Sequence, residues 1–441
     1  MSRTRSSALV PTLRPLSVAV LVVVVLALAQ AAAVSRPART TAPGLGDFVL
    51  VDTGLPDDVE GVQLAGMTPD GRYVVLAWET AHLTGISVLD RGQDELLPVT
   101  VEPDGDWSSE PSEFDDITPD GRHVLFTSYG PLVAGDTNDH DDVFVRDLVS
   151  GTTARVSVTS RGAQVPGYKY GGGISDDGSV TSFMAYSGRF TPRDPHRGMV
   201  YVHDAVTGRT ERVSTSRRGH PADRSCSITT DISADGRFVG FDSGAANLGG
   251  DRDHGKSDVF VKDRRTGRVH APSVGRSDVY DHRASFASLS ADGRRAGFDM
   301  GATTPHSIIW RPYVRDLATG RLFPLAVDTA GNNRDGEVAA LVGGAARWAL
   351  STSRRDLTGE EGPRARSDVD TYLVRLATGE TYRLTGPAVP VVPPASEQGT
   401  AHLWQSAITS DRTLFLVSTF DPLVAGDDDG FDDLYQRPLA W

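Results

Sequence analysis

Residues 117–128 read ITPDGRHVLFTS: an apolar residue, a polar turn signal, then alternating apolar and polar positions. Glycine takes the positive φ that such a turn demands and the aspartate bonds turn amides, so the phrase reads as a β-hairpin. It recurs as MTPDGRYVVLAW (67–78), ISDDGSVTSFMA (174–185), ISADGRFVGFDS (232–243) and LSADGRRAGFDM (289–300). Degraded copies are ALVGGAARWALS (340–351) and ITSDRTLFLVST (408–419). A second phrase follows the first: DVFVRDLVSGTTARVSV (142–158), MVYVHDAVTGRTERVST (199–215), DVFVKDRRTGRVHAPSV (258–274), RPYVRDLATGRLFPLAV (311–327) and DTYLVRLATGETYRLTG (370–386). The first unit carries a looser version, ISVLDRGQDELLPVTV (86–101). It is a second hairpin, so each unit is four antiparallel strands, a to d.

A four-stranded sheet cannot cover both of its own faces. Stacked radially, each sheet covers its neighbour, which predicts an all-β chain folded as a β-propeller. Seven units can be counted; six or eight remain compatible, because the turns of units six and seven are weak. After DLYQRPLAW (433–441) the last unit lacks a fourth strand, whereas DFVLVDTG (47–54) resembles a strand d without a preceding set. The N-terminal strand is therefore expected to complete the last blade and close the ring, which removes an open sheet edge. A closed ring of this kind is expected to be a monomer.

The N-terminus, MSRTRSSALVPTLRPLSVAVLVVVVLALAQAAAVSRPA, has a cationic start, an apolar run over Leu16–Ala29 and small residues after it. Residues 1–33 thus read as a signal peptide or a retained membrane anchor, 34–46 as a linker and 47–441 as one propeller domain, secreted or held at the membrane only by an uncleaved N-terminus. The chain has 441 residues, with 44 Lys+Arg against 58 Asp+Glu for a net charge of −14, which argues against nucleic-acid binding. Cys226 is the single cysteine, so no intrachain disulfide forms and the core must supply the stability.

The phrase [ST]-x-D-G-R-x-V-x-F-x-S followed by D-V-F-V-x-D-x-x-T-G resembles the TolB-like, WD-repeat-like β-propeller family of exported bacterial proteins. The resemblance covers residues 47–441 and concerns the fold. It implies either an interaction scaffold or a propeller of the kind attached to hydrolases. No G-x-S-x-G elbow is present, and the helical N-terminal domain of TolB itself has no counterpart here.

Candidate sites follow from strand parity. The a–b and c–d turns lie on one face of the disc, and the longer b–c and d–a connections lie on the other, the expected recognition face. Two b–c loops, GDTNDHD (135–141) and GDDDGFD (426–432), follow an identical PLVAG. Asp136, Asn138 and Asp142 in the second unit, Asp427, Asp429 and Asp433 in the seventh, and Asp251 and Asp253 in the fourth offer alternating oxygen donors that suit Ca²⁺. The same carboxylates also read as acidic turns that cap amides, and Asp142, Asp258 and Asp433 as anchors of strand c in preference to ligands. Trp107, His140 and His254 are candidate contact residues in these connections. The strand-c aspartates (Asp147, Asp204, Asp263, Asp316) and turn aspartates (Asp70, Asp120, Asp177, Asp235, Asp292) recur in blade after blade, which suits a structural role and not a single active site. No zinc motif appears. Paired carboxylates could still line the central channel at positions the sequence does not disclose. Together these signs favour an exported, non-enzymatic propeller that binds a protein, peptide or glycan through its b–c/d–a face, with a hydrolase or lyase site at the channel mouth as the rival.

Overall fold

The computed structural model describes residues 44–45, 49–51, 53, 55, 59, 61–80, 84–186, 188–249, 256–274, 283–303, 308–359, 369–385, 403–419 and 433–440. They form a propeller of seven sheets with essentially no helix, the one exception being a 3-10 turn at Ala246–Leu248. In blade 2 the order is strand a, Ser112–Ile117; b, His123–Ser128; c, Asp142–Asp147; d, Thr152–Arg155. Blades 1 and 3 to 6 repeat this meander, with strands a at Gly61–Met67, Lys169–Ile174, Cys226–Ile232, Arg283–Leu289 and Glu337–Val342.

Ring closure follows the expectation. Blade 7 has strands a (Leu403–Ile408), b (Leu414–Thr419) and c (Asp433–Ala440), and its fourth strand comes from the N-terminus. Val49–Leu50 pairs antiparallel with Gln436 and Tyr435. Gly44–Leu45 also pairs, with Ala440 and Leu439, so pairing reaches back into the segment expected to be linker.

The alternation read in the hairpins sets the packing. In blades 2 to 5 the apolar residue late in strand b faces an aromatic directly across on strand c: Phe126–Phe144, Phe183–Tyr201, Phe241–Phe260 and Phe298–Tyr313. Their ring centroids lie 5.8, 5.5, 5.9 and 6.2 Å apart, and all eight side chains are buried. Such cross-strand pairs stabilise beyond their area. Blade 6 uses Leu350–Leu373 in the same place. Gly240 is required by this packing, since a Cβ there would overlap the Phe286 ring of the next blade.

Truncating one ring tests the interlock. Phe241→Ala is expected to lower stability by about 3–5 kcal/mol in chemical denaturation, because the fully buried ring leaves a cavity between blades. A loss under about 1 kcal/mol would contradict the packing described.

Candidate functional site

The repeated aspartates are architectural, as their recurrence implied. Asp70, Asp120, Asp177, Asp235 and Asp292 each accept a hydroxyl hydrogen bond from the Thr or Ser two residues earlier, at 2.6–2.7 Å. Asp147 accepts from the amides of Val149 and Ser150, Asp263 from Arg265 and Thr266, and Asp316 from Ala318 and Thr319. The turn arginine closes the motif: Arg72–Asp90 at 2.8 Å, Arg122–Asp147 at 2.7 Å and Arg237–Asp263 at 2.6 Å. The guanidinium bonds hold these three carboxyls well below the usual carboxylate range.

The acidic b–c loop of blade 2 is turned inward upon the protein's own cations. Arg155 Nη1 lies 3.0 Å from Asp136 Oδ1 and 3.1 Å from Asp142 Oδ2. The fully buried Lys169 ammonium sits 2.9 Å from Asp142 Oδ1 as an ion pair, outside hydrogen-bond geometry. Burial pushes the lysine pKa down, and the Asp142 charge opposes that. Asn138 Nδ2 donates to Asp142 at 3.2 Å, Gln164 Nε2 donates to Asp136 at 2.6 Å, and Ser157 Oγ donates to Asp142 at 2.6 Å. Ser157 Oγ also accepts the Val143 amide at 3.1 Å, so Asp142 and Ser157, which follows strand d, together anchor the start of strand c. Asp258 and Ser273 repeat this arrangement in blade 4. A Ca²⁺ ion at Asp136 and Asp142 would have to displace Arg155 and Lys169. Among the described residues no group of three or more His, Cys, Asp or Glu is disposed to hold a metal. Asp251, Asp253, His254, Asp427 and Asp429 lie outside the described residues, and Asp433 opens strand c of blade 7 opposite Thr419.

Trp107 is half-buried and packs edge-on against Trp78 of the same blade, with ring centroids 4.9 Å apart. Its backbone bridges Val101, and the same bridge recurs at Val158–Gln164, Thr215–Pro221 and Val327–Asn333. Four d–a connections therefore share one tight turn and are less individual than their sequences suggest.

His140 belongs to a tyrosine-rich patch on the b–c/d–a face. Its ring lies 5.5 Å from that of Tyr168, at 65°. Tyr168 precedes strand a of blade 3, Tyr170 lies within it, and Tyr129 and Tyr186 follow strands b of blades 2 and 3. Tyr170 and Tyr186 meet edge-to-face at 6.4 Å, and the Tyr186 amide donates to the Tyr168 carbonyl at 2.9 Å. Tyr129, Tyr168 and Tyr186 keep 41, 52 and 39% of their surface exposed. Acidic groups surround them. Burial, then the charges of Asp139, Asp141 and Glu110, push the Tyr129 phenol up; burial, then Asp141, does the same to Tyr170. The Glu113 and Asp141 carboxyls are themselves pushed up, each first by desolvation; Asp141 also acts on Glu113, while the Lys169 and His140 charges oppose the rise of Asp141 and Asp142 adds to it.

A second acidic group lines the central channel at its a–b turn end, in a cavity of about 260 Å³ that includes Asp115, Asp116, Asp176 and Asp231. Strand a is the inner edge of each sheet, so its channel-side amides have no ladder partner. Asp116 Oδ2 accepts the Ile174 amide of blade 3 at 2.9 Å, and Asp231 Oδ2 accepts the Leu289 amide of blade 5 at 2.8 Å. Ser288 Oγ does the same for Leu341 of blade 6 at 3.4 Å. One layer further out, Thr127 accepts from Gly171 at 2.9 Å, Asp242 from Phe286 at 3.4 Å and Asp299 from Val338 at 2.9 Å. Each is a side chain of one blade capping strand a of the next. Glycine makes the room: a Cβ at Gly171 would overlap the Asp115 carboxylate, and one at Gly173 would come within 2.7 Å of Asp231 Oδ1.

Burial, and next the Asp231 charge, push the Asp116 carboxyl up to about 8. Burial pushes Asp231 and Asp242 up to about 6, and Asp115 and Asp299 well above the usual range. The sequence held a signal for these residues. In the repeats the residue before the first apolar one of the turn phrase runs Gly66, Asp116, Gly173, Asp231, Ser288. Extending the aligned phrases by one position exposes that column. The tyrosine patch has no such signal, because it gathers non-repeating residues from two blades.

A carboxyl whose pKa is raised by folding keeps protons that the unfolded chain has released. Its contribution to stability is therefore full below the unfolded value of about 4 and lost as pH rises through the folded value. With Asp231 and Asp242 near 6 and Asp116 near 8, stability is expected to fall from pH 4 to pH 8. His203 and His270, lowered chiefly by burial, oppose this as pH rises toward their ordinary value. Comparing wild type with Asp116→Asn isolates the carboxyl. The variant should show a shallower fall of Tm between pH 5 and pH 8, and an unchanged slope would contradict the assignment.

The fold and these sites define a seven-bladed β-propeller. No family model matches the chain, and neither does any curated protein. Among solved structures it is similar to oligogalacturonate lyase from Vibrio parahaemolyticus, at 12% identity over 90% of this chain and 97% of that one, with a TM-score of 0.51. TolB from Acinetobacter baumannii matches at 16% identity over 75% of this chain and 67% of that one, with a TM-score of 0.38. Likeness at such identities concerns the fold alone.

Proposed function

We propose that the chain is an exported, non-enzymatic propeller that binds a protein, peptide or glycan through its b–c/d–a face. The observation that carries this reading is the exposed cluster of Tyr129, Tyr168 and Tyr186 beside Tyr170 and His140 on that face. Aromatic groups clustered in the open are the usual anchors of recognition surfaces. The amphiphilic N-terminal segment of the sequence supports export. The channel carboxylates, by contrast, already accept amides of neighbouring blades.

The test is capture on the immobilised full chain, with and without Ca²⁺, from surface-extracted proteins and from a glycan panel. Binding should drop strongly in a Tyr129→Ala, Tyr168→Ala double variant and persist in Val206→Ala, whose exposed side chain lies at a c–d turn on the other face. Equal binding by the double variant would contradict the proposal. A Ca²⁺ requirement would support ligation by the acidic loops of blades 4 and 7.

A second reading, a hydrolase or lyase at the channel, is favoured by one observation. Asp116 and Asp231 share a cavity with their carboxyls held at about 8 and about 6, a spread that suits an acid and a base. Its mark would be turnover of a glycan or peptide abolished by both Asp116→Asn and Asp231→Asn.

A further inference from the structure

We propose that the patch of Tyr129, Tyr168, Tyr170 and Tyr186 captures a cationic side chain, the ammonium or guanidinium of a basic peptide segment. The inference rests on the binding-face reading above and narrows it to one ligand chemistry. The faces of neutral aromatic rings carry negative potential that attracts cations. These phenols are held neutral, since burial and the surrounding acids raise Tyr129, Tyr170 and, through burial first, Tyr186.

The charge around the patch is predominantly acidic, with Lys169 and His140 partly offsetting Asp141. Glu110, Asp139 and Asp141 act on Tyr129, and Asp141 and Glu113 act on Tyr170. The nearby cations are already engaged: Arg155 pairs with Asp136 and Asp142, and Lys169 pairs with Asp142. Among the described residues no ion pair is formed by Glu110, Glu113, Asp139 or Asp141. Asp141 acts on the exposed Glu113 as a like charge and its own carboxyl stays raised although Lys169 and His140 lower it, a repulsion that a bound cation would reduce. A neutral sugar would leave that repulsion in place, and an anion would add to it. Aromatic faces rimmed by an excess of carboxylates are complementary to a positive group.

The test titrates the full chain with octalysine and octaarginine, against octaglutamate and a neutral chitohexaose, by calorimetry. The basic peptides should bind and the other two should not. Affinity should weaken about tenfold in Tyr168→Ala and in the Glu113→Gln, Asp141→Asn double variant. Tyr168→Phe, which keeps the aromatic face, should bind as wild type does. Glu95→Gln, which removes one exposed charge at a c–d turn on the other face, is the control and should change nothing. Basic peptides that bind all variants alike would reduce the effect to general attraction by the net charge of −14 and overturn the inference. Chitohexaose binding that depends on Tyr168, without basic-peptide binding, would overturn it while sparing the binding-face reading. Failure of every probe and every captured ligand to depend on these tyrosines would remove both.

Discussion

The ring depends on a problem that every propeller blade poses at its inner edge. Strand a borders the channel, and its channel-side amides have no sheet partner. Here the preceding blade supplies one from a side chain: Asp116 for Ile174, Asp231 for Leu289 and Ser288 for Leu341. Thr127, Asp242 and Asp299 repeat the device one layer out. A buried amide left unpaired costs roughly 1–3 kcal/mol, so these caps hold neighbouring blades in register as well as together. The aromatic pairs between strands b and c then fill the space that this register defines.

The caps are not uniform. Where the column holds glycine, at Gly66 and Gly173, the amide of the following blade is served by that blade's own aspartate: Asp116 Oδ1 accepts from Ile117 at 2.8 Å and Asp231 Oδ1 from Ile232 at 2.6 Å. Asp116 and Asp231 therefore each bridge two blades. That double duty keeps carboxylates in a poorly solvated channel and raises their pKa values. The feature that most resembles a catalytic pair thus has a sufficient structural reason to exist.

Much of the fold was legible because propeller repeats write the same physics several times. The Asp-Gly and Thr-Gly turns, the strand-c aspartates and the closure of blade 7 by the N-terminus all show as recurrence or as its interruption. The acidic loop of blade 2 was legible as acidic and not as neutralised, since Arg155 and Lys169 reach it from strand d and from the next blade. Likewise Trp107 meets Trp78 across its own blade, a contact that sequence separation hides. The tyrosine patch was illegible for the opposite reason to the turns: its residues occur once each. Repetition marks architecture here, whereas the tyrosine patch is assembled from singular residues that the fold brings together.

Side-chain caps hold the blades together, and amide hydrogen exchange reads those caps one at a time. In the wild-type chain the amides of Ile174 and Leu289 should both exchange slowly. In Asp116→Ala the Ile174 amide should exchange far faster while Leu289, capped by Asp231, keeps its protection. Unchanged protection of Ile174 in that variant would contradict the account.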